Sequence, residues 1–161
     1  MSTRFRTFER TSVVEAPREA VWARIVTPRG INDEMMPLLR MAMPRGARGL
    51  TVDTVEVGRK VGRCRLYLFG IVPFDHDDLM LAELEPGHRF LERSTMASMR
   101  TWEHERTLTA DGARRTLVHD RVRFEPRGPI AAVPGLPGLL ERVIGRFFAH
   151  RHRKLGRHFA N

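Results

Sequence analysis

The order of its segments constrains the fold of this chain most, because a run of strand-like segments precedes one long amphipathic helix. Strand-like composition with turn signals between the segments occurs five times, at 63–72, 75–85, 89–97, 100–109 and 115–125. Residues 139–159 then have the apolar spacing of a helix. Antiparallel strands followed by a single long helix must bury that helix on one face of their sheet, so the order predicts an α+β fold.

Four more elements are predicted before these strands, in this order: a strand at 5–14, a helix at 16–28, a helix at 30–36 and a strand at 38–43. Pro17 suits a first helical turn, and Pro28 and Pro37 end the two helices. Residues 127–138 are apolar but interrupted by proline and glycine, so we expect a loop there. The length of the chain predicts a single domain over 1–161.

Composition excludes several classes of protein rather than pointing to one. Cys64 is the only cysteine, which excludes a disulfide framework and a thiolate metal site. The first residues lack the apolar core of a signal peptide and no run is long enough to span a membrane, so we predict a cytoplasmic protein. The formal charge of +9 favours anionic partners without identifying one, and no specific nucleic-acid partner is predicted.

Sequence motifs for cofactor or metal chemistry are missing. The chain has no phosphate-binding loop, dinucleotide-binding glycine motif, nucleophile elbow or HExxH motif, and no cofactor is predicted. The stretch "FDHDD" (74–78) holds residues that can ligate a metal, but strand alternation turns His76 and Asp78 away from Asp75 and Asp77. We therefore interpret it as a charged strand start and expect no metal site.

The stretch "RTWEHERTL" (100–108) combines aromatic and ionisable residues on one side of a strand. Alternation places four side chains on one face: Trp102, His104, Arg106 and Leu108. In the next strand, the better inward face includes Asp120, and the two strands form a hairpin. A buried carboxylate without a partner would cost several kcal/mol, so we expect Asp120 to pair with His104 or Arg106.

The last helix carries a basic residue inside its apolar stripe. The stripe consists of Leu140, Ile144, Phe147, Phe148 and Leu155, and helical spacing places Arg151 near its middle. Two interpretations stay open. Arg151 either extends past a thin helix end with its stem on apolar surface, or it points into a polar spot inside the protein.

Five stretches carry a resemblance to a known superfamily: "SVVEAPREAVW" (12–22), "LFGIVPF" (68–74), "RTWEHERTL" (100–108), "LVHDRV" (117–122) and "FFAHRHRKL" (147–155). In this order they resemble the START/Bet v 1-like superfamily (SRPBCC, helix-grip proteins). The resemblance implies a seven-stranded antiparallel sheet wrapped around one long C-terminal helix, with two short helices after the first strand. It also implies a cavity that admits a hydrophobic small molecule. The sequence departs from the plant-allergen pattern in lacking its glycine-rich loop.

Three functions follow as hypotheses, since such proteins do not share one activity. The first is intracellular binding or carriage of a hydrophobic or amphipathic small molecule, with the ligand against Trp102, His104, Arg106, Asp120, Ile144, Phe147, Phe148 and Arg151. The second is a polyketide cyclase or dehydratase-like enzyme in which His104, oriented by Asp120, acts as general acid or base. The third is a basic module that contacts the ribosome or an anionic membrane, with segment 129–138 touching the membrane transiently.

The charges of the side chains predicted to point inward affect which ligand charge the cavity would favour. Arg106 and Arg151 bring two positive charges and Asp120 one negative charge, which leaves an excess that is costly in a low-dielectric interior. A glutamate elsewhere in the chain, or water, is one way to compensate this charge. The other is an anionic ligand whose carboxylate or phenolate pairs with a guanidinium group.

Overall fold

In a computed structural model, which describes residues 4–160, seven strands form one antiparallel sheet. The strands are β1 (Arg6–Val14), β2 (Leu39–Ala42), β3 (Lys60–Leu68), β4 (Val72–Glu85), β5 (Arg89–Met96), β6 (Met99–Ala110) and β7 (Thr116–Pro126). Their order across the sheet is β1-β7-β6-β5-β4-β3-β2, so the chain closes its meander by placing the first strand beside the last. The predicted α+β architecture is confirmed.

The helices are α1 (Arg18–Ile25), α2 (Pro28–Met35), α3 (Gly128–Ala131) and α4 (Leu136–Phe159), with a short 3-10 turn at Arg45–Ala47. The predicted loop at 127–138 is therefore partly wrong, because α3 lies within it and α4 begins before residue 139. Pro137 falls in the first turn of α4, where proline costs no hydrogen bond, and Gly135 caps it with a φ of 79°. None of the helices among residues 4–160 is long and apolar enough to cross a membrane.

The turn between β3 and β4 differs from the prediction in its position. The sequence predicted strands at 63–72 and 75–85, whereas β3 ends at Leu68 and β4 begins at Val72. Phe69 and Gly70 have positive φ angles of 54° and 77°, which reverse the chain between the two strands. The apolar stretch at this point therefore forms an exposed turn instead of the end of a strand.

A close contact between α1 and α2 fixes the direction of α2. Thr27 caps α2 by accepting a hydrogen bond from the backbone N–H of Gly30 at 3.0 Å. A Cβ atom at Gly30 would lie 1.9 Å from the carbonyl oxygen of Arg24, so only glycine fits there. This packing turns the side chains of Glu34 and Met35 towards the interior.

Two apolar clusters make up the interior. One cluster includes Trp22, Leu108, Val118 and Leu155, and the other includes Met99, Val122, Phe124, Ile144 and Phe148. Each of β6, β7 and α4 contributes to both clusters, and its inward residues between the two contributions are polar. The fold therefore places a polar layer between two apolar ones.

Candidate functional site

The polar layer is assembled from the inward residues of three elements. β6 contributes His104 and Arg106, β7 contributes Asp120, and α4 contributes Arg151 and His152, all of them buried. The predicted inward faces of β6 and β7 are thus confirmed. Because each element carries apolar residues on both sides of these positions, the polar groups satisfy one another rather than reaching solvent.

Asp120 is the centre of this layer and is 0% exposed. Arg106 donates to it through Nε at 2.8 Å and through Nη2 at 2.7 Å. His104 Nε2 lies 2.8 Å from Oδ1, and His152 Nε2 lies 2.7 Å from Oδ2. Burial alone would raise the pKa of Asp120, but the charges of Arg106 and His104 hold it well below its ordinary value. Asp120 is therefore an ionised carboxylate that pairs with both residues proposed as its partners, and with His152 as well.

Glu34 of α2 supplies the second negative charge, and this role was not predicted from the sequence. It is 2% exposed and accepts hydrogen bonds from Arg106 Nη1 at 2.8 and 3.0 Å. Arg151 Nε also donates to it, at 3.1 Å. A signal was present, because Glu34 follows Ile31 by three residues and so shares a face of the helix with it. Arg151 points into the interior, and the interpretation that it extends past the helix end is wrong.

The charge excess inferred from the sequence is absent from the structure. Arg106 and Arg151 are balanced by Asp120 and Glu34, which form ion pairs with them at 2.7 to 3.1 Å. The charge argument for an anionic ligand therefore loses its premise. Of the two ways to compensate the arginines, the chain uses its own glutamate.

His104 joins this ionic cluster to a second group of acids on β4 and β5. Its Nδ1 lies 3.9 Å from Oε2 of Glu92, whose Oε1 accepts a hydrogen bond from Ser94 Oγ at 3.1 Å. Burial lowers the pKa of His104, but the charge of Asp120, the hydrogen bond to Asp120 and the nearby Glu92 carboxylate raise it above the ordinary value. The two carboxylates on either side of His104 therefore favour its imidazolium form.

His152 differs from His104 in charge although both contact Asp120. Burial, only partly offset by Asp120, lowers the pKa of His152, so its ring is neutral. Nε2 must carry the hydrogen because the ionised Asp120 only accepts, which leaves Nδ1 to accept from Ser12 Oγ at 2.6 Å. His152 thus connects β1 to the centre of the polar layer.

A cavity of about 880 Å³ lies between α4, α2 and the inner face of the sheet. Its wall is mainly apolar and includes six of the eight predicted ligand-binding residues: Trp102, His104, Ile144, Phe147, Phe148 and Arg151. Arg106 and Asp120 are not part of the wall, so their predicted contact with a ligand is wrong. They are 1% and 0% exposed because their polar atoms face Glu34, His104 and His152 instead.

Part of the mouth of the cavity is apolar. Phe69 and Phe74, at either side of the turn between β3 and β4, and Val143 of α4 are exposed and also line the cavity. Ile71, at the tip of the same turn, is 78% exposed. The sequence had assigned a membrane-contacting surface to 129–138, whereas much of the exposed apolar surface near the mouth belongs to this turn.

Three arginines of the outer sheet face are paired with glutamates. Arg89 lies 2.7 Å from Glu83, and Arg93 and Arg123 lie 3.3 and 3.6 Å from Glu103. A surface that attracts anions needs unpaired positive charge, which this alternation reduces. Within residues 4–160, no group of three or more His, Cys, Asp or Glu side chains is arranged to hold a metal ion.

Comparisons with known proteins show which folds this structure resembles. A family model described as "Domain of unknown function (DUF8410)" matches residues 12–159, and no curated protein matches the chain. The structure is similar to the ZhuI aromatase/cyclase from Streptomyces sp. R1128, with a TM-score of 0.70 and 18% identity over 94% of this chain and 91% of that one. It is also similar to a START superfamily protein from Mycobacterium smegmatis, with a TM-score of 0.64 and 13% identity over 95% and 96% of the two chains.

A third similar structure is the di-domain ARO/CYC protein BexL from the BE-7585A biosynthetic pathway. The TM-score is 0.66 and the identity 12%, over 99% of this chain and 52% of that one. At such identities these likenesses establish the fold alone. The predicted START/Bet v 1-like helix-grip fold is confirmed.

Proposed function

The chain belongs to the family described as Domain of unknown function (DUF8410), and we propose that it binds a hydrophobic or amphipathic small molecule in the cavity between sheet and α4. The cavity carries this proposal. Its volume of about 880 Å³ lies within the range of small-molecule sites, about 300–1,000 Å³. A well-packed domain has few voids larger than a water molecule, so a space of this size is a cost to stability unless it serves a ligand.

The wall suits a largely apolar ligand. Trp102, Phe147 and Phe148 present aromatic surface, and burying a ligand against such residues gains about 25 cal/mol per Å² of apolar area. The ring centroids of Trp102 and Phe148 are 6.4 Å apart, and those of Phe147 and Phe148 are 5.8 Å apart. Few polar groups interrupt this surface, so they would orient the ligand rather than supply most of its affinity.

Native mass spectrometry of protein purified from its own host tests this proposal. We expect a small molecule to co-purify with the wild-type protein. Ile144→Trp fills part of the cavity and should abolish that signal, whereas Val13→Trp, at an exposed position outside the wall, should retain it. Wild-type and Ile144→Trp proteins that show the same spectrum and the same affinity for hydrophobic fluorescent probes would contradict the proposal.

A second candidate is a cyclase or dehydratase that acts on a polyketide-like substrate in the same cavity. The position of His104 favours it, because this imidazole, whose pKa is raised, lines the cavity and is oriented by Asp120. An imidazolium next to a substrate can donate a proton, so His104 would act first as a general acid. The similar aromatase/cyclase supports the substrate class by analogy only. Turnover of a candidate polyketide that persists in His104→Ala would remove His104 from that role.

The apolar mouth favours a transient membrane contact during ligand exchange. Phe69, Ile71 and Phe74 would enter the interfacial region of a bilayer, where aromatic and aliphatic side chains are favourable. Liposome flotation should then recover the wild-type protein, and Phe69→Ser with Ile71→Ser should reduce recovery. Absence of flotation with neutral and with anionic lipid would exclude this route of loading.

A further inference from the structure

The polar anchor for a ligand can be located by comparing the acids that line the cavity. Asp75 is saturated, because it accepts from the backbone N–H groups of His76, Ala97 and Ser98 and from the hydroxyl of Ser98. Glu92 is occupied by Ser94 and His104. Asp77 differs from both: it is 4% exposed, and its Oδ1 has no hydrogen-bond partner within residues 4–160.

The surroundings of Asp77 favour its neutral carboxylic acid form. Burial and the negative charge of the neighbouring Glu92 raise its pKa well above the ordinary value, since two adjacent carboxyl groups cannot both ionise in a low-dielectric site. The charge of His104 keeps Glu92 ionised in spite of its burial and lowers its pKa. Of the two carboxyl groups, Asp77 is therefore the one whose surroundings favour the protonated form. A carboxylic acid then still has its carbonyl oxygen as a free acceptor.

The buried charges near Asp77 balance one another, whereas Arg146 and Arg153, which also line the cavity, are exposed to solvent. The positive groups Arg106, Arg151 and His104 are balanced by the negative groups Glu34, Asp120 and Glu92. On the opposite side, Cys64 of β3 lies across the ladder from Asp77. Burial and the nearby carboxylates raise the pKa of its thiol to about 12, so it stays uncharged. An unsatisfied acceptor buried in an apolar wall costs free energy until a donor reaches it.

We propose that Asp77 is the anchoring site of the cavity and accepts a hydrogen bond from the hydroxyl group of a neutral, largely apolar ligand. The assignment rests on the proposed function, because it names the ligand class for the same cavity. It also excludes carboxylate ligands at this point, since a second anion beside Glu92 would be repelled and would find no free donor. A ligand ether presents no donor to Asp77 and leaves the acceptor unsatisfied.

Three pyrene derivatives test this assignment, because they share one fluorescent apolar body: 1-hydroxypyrene, 1-methoxypyrene and 1-pyrenecarboxylate. Fluorescence titration at pH 7 measures the dissociation constant of each compound. For one net hydrogen bond, we expect the wild-type protein to bind hydroxypyrene roughly 3- to 10-fold more tightly than methoxypyrene. Pyrenecarboxylate should bind most weakly of the three.

Variants of Asp77 show whether the preference for hydroxypyrene comes from a hydrogen bond to Asp77 or from a general preference for polar ligands. Asp77→Leu should bind hydroxypyrene and methoxypyrene equally. Asp77→Asn should keep the preference, because its amide is uncharged and offers its carbonyl oxygen to the ligand as the protonated acid does. Asp78→Asn is the matched control: it removes a carboxyl group from the next position of β4, where Asp78 pairs with Arg63 on the other face, and should also keep the preference.

The outcomes distinguish this assignment from the proposed function. Equal affinities of the wild-type protein for hydroxypyrene and methoxypyrene would overturn the role of Asp77 while leaving cavity binding intact. A preference that survives in Asp77→Leu, or disappears in Asp77→Asn, would overturn it as well. If Asp77→Leu does not fold, as circular dichroism would show, the wild-type and Asp77→Asn measurements still decide. Binding of none of the three compounds would overturn the proposed function itself.

Discussion

Replacing Glu34 with glutamine removes the negative charge that two buried arginines share. Arg106 and Arg151 both donate to the Glu34 carboxylate, at distances between 2.8 and 3.1 Å. Glutamine is nearly isosteric, so the change leaves packing intact and alters the charge alone. The interior then holds the two guanidinium groups and the His104 imidazolium against the carboxylates of Asp120 and Glu92.

The expected loss of stability follows from the burial of these groups. Removing one partner of a buried ion pair costs about 3–5 kcal/mol, because the remaining charge has neither water nor a counter-ion. Glu34 is 2% exposed, so solvent screens little of this cost. Arg151→Met in the Glu34→Gln background removes the excess charge, and the double variant should recover part of the loss. A positive coupling of at least about 1 kcal/mol is expected for groups in direct contact.

Urea unfolding at pH 7, followed by tryptophan fluorescence and circular dichroism, measures both free energies. The control is Glu56→Gln, which breaks an ion pair with Arg59 that is mostly exposed, and it should change stability by at most about 1 kcal/mol. A Glu34→Gln protein as stable as the Glu56→Gln control would refute the reasoning. It would mean that the arginines are hydrated or paired in another way, and that the polar layer is not balanced by the chain itself.

Three further predictions concern other parts of the interior. Because its partners lower the pKa of Asp120, its ionised form stabilises the fold above about pH 4, and this contribution is lost as the pH falls towards the lowered pKa. Asp120→Asn should therefore be destabilised at pH 7, with a difference from wild type that shrinks in urea titrations between pH 4 and pH 2. Cys64, buried and with a pKa of about 12, should react with a thiol reagent only after unfolding. Phe148→Ala should lower the free energy of unfolding by about 3–5 kcal/mol, since this side chain is fully buried; a loss below 1 kcal/mol would place it in a loosely packed wall.

Local patterns were sufficient to predict the elements and the faces of the last strands. Alternation in β6 and β7 depends only on the period of a strand, so Trp102, His104 and Asp120 could be placed inside without a structure. The hairpin between these strands is closed by a short turn, which brought Asp120 within reach of His104 and Arg106. Boundaries were less accurate where apolar residues occupy a turn, as at Phe69, because composition there resembles a strand.

The wall of the cavity was predictable in part. Ile144, Phe147 and Phe148 lie on the stripe of the last helix that must face the sheet, and all three line the cavity. Arg106 and Asp120 share the inward faces with wall residues but are covered by other polar groups. An inward direction is a property of one strand, whereas contact with a cavity depends on which side chains of other elements lie in between.

What the sequence by itself determined is the set of segments and the side of each that had to be buried, because both follow from local periodicity and the hydrophobic effect. What only the tertiary structure decided is how the buried charges are matched. Glu34 reaches Arg106 across 72 positions of sequence, and His152 of α4 reaches Asp120 of β7 across 32. The position of a charged residue in a segment does not show which residue it will pair with. Its partner depends on how helices and strands pack against one another, which the sequence of one segment does not determine. The electrostatics of the interior, and with them the ligand that the cavity accepts, are therefore set at the level of the fold.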